Sequence, residues 1–594
     1  MKKMICLLWF IIAVSCHAQE LSVQKPTNLN QLIDDYFRTI IELNPNTASH
    51  LGLDPQGSYR YDKSKLTDNT EAAYQHELNV VKDYLELSKE CNDLSSDDEL
   101  ELAVFQHYLQ DVCDSDRYRY NYYKLNHLFG FHYQLINLFT ENHSLQTRQD
   151  AEDYLSRMDQ LSTYFENLFI ELEEREKWGI IPPIVILNQL QNIIDDQNGQ
   201  NPEDIIYYTH FVDCLQDMDL DDNAKSLYAE RALKAVQDHI VPNYRKVSEH
   251  IEQIKKKGGL APGVWKLPDG DEFYQFCLQK HTTTDLTPEE VHQIGLQEVA
   301  RIQEEMLQRF EELGFTEGEN FVEIEKQYWN SLHGSEFNYV QNDYGRKQAL
   351  DDYLQILEET KKRLSEIFGK IPTIPVTVRA VPKHKEQFAG QYYDRAPIDG
   401  SRPAIFYTNL RWLPQKPSMQ TLLHHETIPG HHLQIAYAQE LANIPMYRNF
   451  TFFTAYIEGW ALYAEKLAFE LGWYNDIYSE LGYLNSELFR AVRLVVDTGI
   501  HYKKWSREKA AEYMTQNLCW ASYGEIDRYT VWPGQACAYK IGELKILELR
   551  EKAKDALGDT FDIKEFHDVI LQNGAIPLDL LEKVVYEWLD GKIK

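Results

Sequence analysis

The stretch Leu423-His424-His425-Glu426-Thr427-Ile428-Pro429-Gly430-His431-His432 gathers four imidazoles and a carboxylate, interrupted by a proline and a glycine. A second carboxylate follows in Ile457-Glu458-Gly459-Trp460-Ala461, which reads as helix. Two imidazoles and a carboxylate form a common zinc ligand set, and a glutamate beside the first imidazole can take a proton from a metal-activated water. These residues point to a zinc-dependent hydrolase, most simply a peptidase.

The spacing departs from the usual helical zinc pair, in which two histidines stand four residues apart. Four residues after His425 comes Pro429, and the next histidine is His431. Six helical residues rise about 9 Å and rotate about 240° beyond a full turn. Two nitrogens so placed cannot both sit about 2 Å from one ion. Pro429 has no N–H to return to residue 425, and Gly430 tolerates unusual backbone angles. The pair therefore predicts a distorted turn that loops out two residues and returns His431 to His425. His432 is the competing second ligand, on the His425 face but two turns away. His425, His431 and Glu458 are the expected metal ligands, with Glu465 a weaker alternative to Glu458. Glu426 is the expected general base, handing its proton to the leaving amine. His424 and His432 are expected to support the ligands or contact substrate.

Further along, Arg490, Arg493, Asp497 and His501 recur at helical spacing in an apolar stretch. Arg493 and His501 are expected to bind substrate, Arg493 by clamping a carboxylate; pairing of arginine with Asp497 is the alternative. Arg528-Tyr529-Thr530-Val531-Trp532-Pro533-Gly534-Gln535 leads into a helix with Tyr539 and Lys540. A tyrosine hydroxyl there can stabilise an oxyanion, a catalytic role assigned to Tyr539, with Tyr529 expected to contact substrate and Lys540 a further cationic candidate.

Outward from this region the pattern is mainly α. Leu32, Tyr36, Ile40 and Ile41 fall at helical spacing before Asn44-Pro45, and Leu155 to Leu172 carries another apolar stripe. Thr287-Pro288-Glu289-Glu290 has the form of a helix start, with Thr as cap, Pro at the first position and Glu closing a capping box. The helix carrying Tyr353 is expected to run to Gly369. Strand signals are confined to Val376-Thr377-Val378-Arg379 and Ala404-Ile405-Phe406-Tyr407-Thr408, which predict a small sheet beside the histidine-rich helix. Three segments follow: a signal peptide over 1–18, an N-terminal helical region over 19–262, and a catalytic helical region over 263–594. The loop Gly258-Gly259-Leu260-Ala261-Pro262-Gly263 separates the last two, which form one continuous body.

Lys2 and Lys3 precede an apolar run, Met4 to Val14, too short to span a bilayer, with a cut expected after Ala18. The protein is thus expected to be exported to the periplasm. Ala13-Val14-Ser15-Cys16 offers the alternative of a lipid anchor at Cys16. No later stretch predicts a transmembrane helix. A formal net charge of -33 disfavours nucleic acid as a partner. The remaining cysteines show no metal or disulfide spacing and read as free thiols.

The chain resembles a bacterial family known as domain of unknown function 885, related to the gluzincin metallopeptidases. The resemblance rests on His425-Glu426-Thr427-Ile428-Pro429-Gly430-His431-His432, Glu458-Gly459-Trp460-Ala461-Leu462-Tyr463, Arg493-Leu494-Val495-Val496-Asp497-Thr498-Gly499 and Pro533-Gly534-Gln535-Ala536 with Tyr539-Lys540-Ile541-Gly542. Thr282 to His292 and the opening near Asn44-Pro45-Asn46-Thr47-Ala48 also fit. It implies a large multi-helix, gluzincin-like body with a deep central groove, and a third zinc ligand from a Glu-Gly segment, matching Glu458. The expectation is an exported zinc-dependent peptidase acting on short peptides. A non-peptide amidase, or a catalytically inactive metal- or peptide-binding protein, is the alternative.

Overall fold

The computed structural model describes residues 28–593 apart from 384, 385, 387–389, 399, 401 and 443. The expected signal peptide and Cys16 lie outside the described residues. Helix starts are written locally in this chain. Thr287 caps helix α1 (Pro288–Glu312): its hydroxyl accepts from the Glu290 N–H at 3.3 Å, and the Glu290 carboxylate accepts from the Thr287 N–H at 2.9 Å. Each partner satisfies a backbone donor that a helix start leaves open. Val291, Val299, Ile302, Met306 and Phe310 then face the core as their spacing predicts.

Before α1 every regular element among the described residues is helical, from Leu29–Leu43 to Gly270–Thr282. The stripe from Leu155 to Leu172 is buried but divided at Gln160 into two helices, Arg148–Asp159 and Leu161–Lys177. These N-terminal helices build two apolar clusters, one around Tyr154, Phe165 and Tyr244, the other around Tyr36, Phe105 and Leu109. The second takes in Tyr447 from the far end of the chain, whose hydroxyl donates to Glu101 at 2.6 Å. The main core, in turn, reaches back to Val104, Tyr118 and Ile186.

After α1 come α2 (Asp343–Lys361), α3 (Met419–Glu426), α4 (His431–Gln439), α5 (Thr454–Glu470), α6 (Ile477–His501), α7 (Tyr523–Val531) and α8 (Gln535–Leu557). Helix α2 stops at Lys361, short of the expected Gly369; a separate turn, Leu364–Glu366, carries the chain on to the buried Ile367 and Phe368. The small sheet holds β1 (Val376–Ala380), β2 (Tyr392–Asp394) and β3 (Ala404–Thr408) in the order β1-β3-β2. β1 runs parallel to β3, with Val378 opposite Phe406, and β2 runs antiparallel, with Tyr393 opposite Phe406. Strand β2 escaped the sequence reading because its three residues are all half-buried and carry no alternation.

Two glycines decide how closely α5 and α8 cross. A Cβ on Gly459 would stand 2.5 Å from the Gly542 Cα, and one on Gly542 would stand 1.8 Å from the Ala455 carbonyl oxygen. The helices therefore meet backbone to backbone. This brings Glu458, beside Gly459, and Tyr539, three residues before Gly542, toward the same space.

Gly542→Ala should lower stability by roughly 1–3 kcal/mol or more through overpacking. Gly591→Ala, in a helix with open space at its Cβ, should be neutral or stabilising. Thermal midpoints of the two variants check this, and equal midpoints would refute the contact.

Candidate metal centre

The expected distortion takes the form of a break between two helices. α3 ends at Glu426, Thr427 leaves helical space at φ -114° and ψ -107°, and α4 begins at His431. The Ile428–Pro429 peptide bond is cis. The Leu433 N–H reaches back six residues to the Thr427 carbonyl at 3.3 Å, and Gln434 resumes the four-residue pattern with Gly430 at 3.1 Å. The two surplus residues are thus absorbed in one enlarged turn. Glycine at 430 is obligatory by contact: a Cβ there would stand 2.0 Å from the His425 carbonyl oxygen. The buried Trp460 indole holds the turn from α5, donating to the Pro429 carbonyl at 2.9 Å.

This turn brings the His425 and His431 rings to a centroid separation of 4.7 Å at 79°. Glu458 meets both from α5: its Oε2 lies 3.5 Å from His425 Nε2 and 3.4 Å from His431 Nε2. That oxygen is buried and accepts no hydrogen bond. Atoms bound about 2 Å from a tetrahedral ion stand about 3.3 Å from one another, so the three side chains fit a zinc ligand set. Among the described residues they are the one group of three or more His, Cys, Asp or Glu side chains with ligand atoms gathered this tightly.

Glu465 is a support for His425 and not a substitute for Glu458. It lies two turns beyond Glu458, so the two carboxylates reach opposite nitrogens of one ring. Glu465 Oε1 is 2.8 Å from His425 Nδ1, its other oxygen accepts from Thr421 and from Ser486 at 3.1 Å, and Arg490 stands 3.7 Å away. The Nδ1 contact directs Nε2 toward Glu458 and fixes the tautomer. Burial opposes a charge on His425, yet Glu458 and Glu465 outweigh it and push its pKa up to about 9. Burial likewise works against ionised Glu458, and the two histidines hold its carboxyl well below the usual range.

The other two histidines are committed elsewhere. His432 Nε2 lies 3.0 Å from the Ile374 carbonyl and Nδ1 lies 3.1 Å from the Tyr393 hydroxyl, which ties α4 to the chain before β1 and to β2. With both nitrogens engaged, and burial pulling its pKa down to about 4, His432 is a neutral structural link. His424 is 1 % exposed, packs against Trp473 and Tyr474, and contacts Thr360 at 3.3 Å. Glu426, next to His425, is buried but keeps some access at 8 % exposure.

The Tyr539 ring lies nearly parallel to the His425 ring at a centroid separation of 6.3 Å. Arg493 sits 4.8 Å from the Tyr539 ring centroid, and Arg528 reaches the Tyr539 hydroxyl at 3.4 Å. The expected substrate role for His501 is overturned. It is wholly buried, Nδ1 accepts from the Val264 N–H at 3.1 Å, Nε2 donates to the Tyr529 carbonyl at 3.0 Å, and the ring stacks on Tyr274. Tyr529 is also corrected: it is 1 % exposed, with its hydroxyl enclosed beside Glu525 and Arg493. Arg493 pairs with Glu525, not Asp497, which accepts from the Tyr274 hydroxyl at 2.7 Å and the Gly534 N–H at 3.0 Å. Lys540 is fully buried between Glu487 at 2.6 Å and Glu543 at 2.7 Å, which removes it as a substrate cation. Spacing along one helix could not separate these cases, because each was decided by a partner distant in sequence.

A cavity of about 710 Å³ runs along Gln434, Ile435 and Ala438 of α4 and reaches Arg395 and Ile457; His425, His431, Glu458 and Tyr539 do not line it. Its volume is in the range of small-ligand sites.

Comparison with known proteins agrees with the motifs. The model of a family described as bacterial protein of unknown function (DUF885) matches residues 45–585, and the chain belongs to that family. A solved structure described as a putative lipoprotein from Colwellia psychrerythraea is similar over 95% of this chain and 99% of its own, at 30% identity and a TM-score of 0.90. Another, described as a putative lipoprotein of unknown function from Shewanella oneidensis, shares the fold over 94% of this chain and 100% of its own, at 19% identity and a TM-score of 0.73. Among curated proteins none matches.

Two outcomes are expected here. In zinc titrations of the metal-free protein, His431→Ala should abolish tight binding, His432→Ala should retain it, and Glu465→Gln should weaken it about 10–100-fold. The second concerns Asp497, whose pKa burial raises to about 7 against the opposing pull of Tyr274 and Gly534. Its folded value exceeds its unfolded one, so its contribution is fully present below about pH 4 and is lost as pH rises through about 7. Denaturant midpoints of wild type should therefore fall relative to Asp497→Asn across that interval; parallel curves would refute the buried proton.

Proposed function

We propose that the protein is an exported zinc-dependent hydrolase of peptide bonds, built as a gluzincin-like helical body with a central groove. The observation that carries this reading is the convergence of His425, His431 and Glu458, with Glu465 behind His425 and Glu426 beside it. His425, His431 and Glu458 would hold zinc, which would supply Lewis acidity to a water and to an amide carbonyl. Glu426 takes the proton from the attacking water and delivers it to the departing amine nitrogen, so one carboxylate serves both halves of the reaction. The Tyr539 hydroxyl, held at 3.4 Å from Arg528, donates to the oxygen on which negative charge develops. Glu465 keeps the His425 imidazole oriented throughout.

Attachment to a membrane through lipid on Cys16 joins this proposal, supported by the lipoprotein descriptions of the similar structures.

Glu426→Gln should reduce peptide hydrolysis by about 10²–10⁴-fold while zinc content stays at one ion per chain. Chelation should abolish the activity and added zinc restore it. Equal turnover by wild type and Glu426→Gln with full zinc occupancy would remove the hydrolase reading.

A further inference from the structure

The charge around Tyr539 does not balance. Arg493 on α6 and Arg528 on α7 share one carboxylate: Glu525 Oε2 accepts from Arg493 Nη2 at 3.0 Å and from Arg528 Nη1 at 3.2 Å. Arg528 Nη2 donates to the neutral Gln535 and Tyr539. Arg493 is 7 % exposed, lies between the rings of Phe489 at 4.4 Å and Tyr539 at 4.8 Å, and its buried Nε makes no hydrogen bond, although the Tyr529 hydroxyl lies near the guanidinium. Burial works against the Arg493 charge and Glu525 sustains it. The neighbouring carboxylate of Asp497 is turned to Tyr274 and Gly534, and Arg490 is turned to Glu465 and Ser486. Two guanidinium groups and one carboxylate leave an excess positive charge, enclosed at Arg493 and partly open to solvent at Arg528 and Glu525, within a chain whose net charge is -33. Such a charge is costly unless an anion completes it.

We propose that the missing anion is the free α-carboxylate of a peptide substrate, and that the enzyme cuts close to that end. This rests on the hydrolase reading above and names its substrate class. Tyr539 is the shared wall: its ring faces His425 at 6.3 Å and Arg493 at 4.8 Å, so ring and guanidinium lie at most about 11 Å apart, the sum of those two legs. Contacts at both ends occupy part of that span. The remainder leaves room for no more than one or two residues at about 3.3–3.6 Å each. Arg493 and Arg528 are then specificity-determining residues, and cleavage releases a C-terminal amino acid or dipeptide.

The test uses zinc-loaded Glu426→Gln, titrated calorimetrically with N-acetyl tetra-alanine as the free acid and as the C-terminal amide. The free acid should bind about 10–100-fold more tightly, the range of a charged hydrogen-bonded contact. Arg493→Met on that background should erase the preference, and Arg493→Lys should restore part of it. Equal binding of acid and amide, or equal weakening of both by Arg493→Met, overturns the inference. An amide carrying a penultimate glutamate that binds as tightly as the free acid overturns it too, because a side-chain carboxylate is then sufficient. Wild-type products, read by mass spectrometry, should be free alanine or dialanine. A preference in binding without any wild-type hydrolysis sinks the hydrolase reading and leaves carboxylate recognition standing.

Discussion

The His425 carbonyl and the backbone of residue 430 occupy nearly touching positions, with 2.0 Å between that oxygen and any Cβ at 430. Around this contact the chain turns from α3 into α4, and the enlarged turn places His431 against His425. Trp460 locks it from α5 by bonding the Pro429 carbonyl. The helix that supplies the lock also supplies Glu458, so fixing the turn and delivering the third side chain are one packing event. A second backbone contact, Gly459 against Gly542, holds α5 to α8 and sets Tyr539 beside the same imidazole.

This arrangement separates residues of similar appearance into different tasks. His425 and His432 fall on one helical face by simple rotation, yet the broken helix sends His432 to Ile374 and Tyr393, where it joins the sheet to α4. Glu458 and Glu465 are two turns apart on α5 and flank a single ring, one toward the ligand cluster and one toward Thr421, Ser486 and Arg490. The buried ions of this protein follow the same division. Lys540 is matched by Glu487 and Glu543 and is structural, whereas Arg493 and Arg528 share one carboxylate and retain unspent charge.

Much of this was legible in the residues themselves. Thr287-Pro288-Glu289-Glu290 names a helix start because capping is local chemistry, and Pro429-Gly430 between histidines announces a broken turn because one lacks a donor and the other a side chain. The helical body, two of the three strands and the ligand candidates His425, His431 and Glu458 follow from periodicity and ligand chemistry. What periodicity could not assign was the partner of each polar group. His501 and Tyr529 look like site residues and are enclosed: Val264 and Tyr274, far earlier in the chain, cover His501, and Tyr529 is buried beside Glu525 and Arg493. Glu465 resembled a spare ligand until His425 was found between it and Glu458. The sequence by itself determined which groups could bind, bend or cap, as these are properties of single residues and their near neighbours. Only the tertiary structure decided which nitrogen faces which oxygen and which charge stays unmatched, because those depend on helices separated by tens of residues meeting at atomic distance.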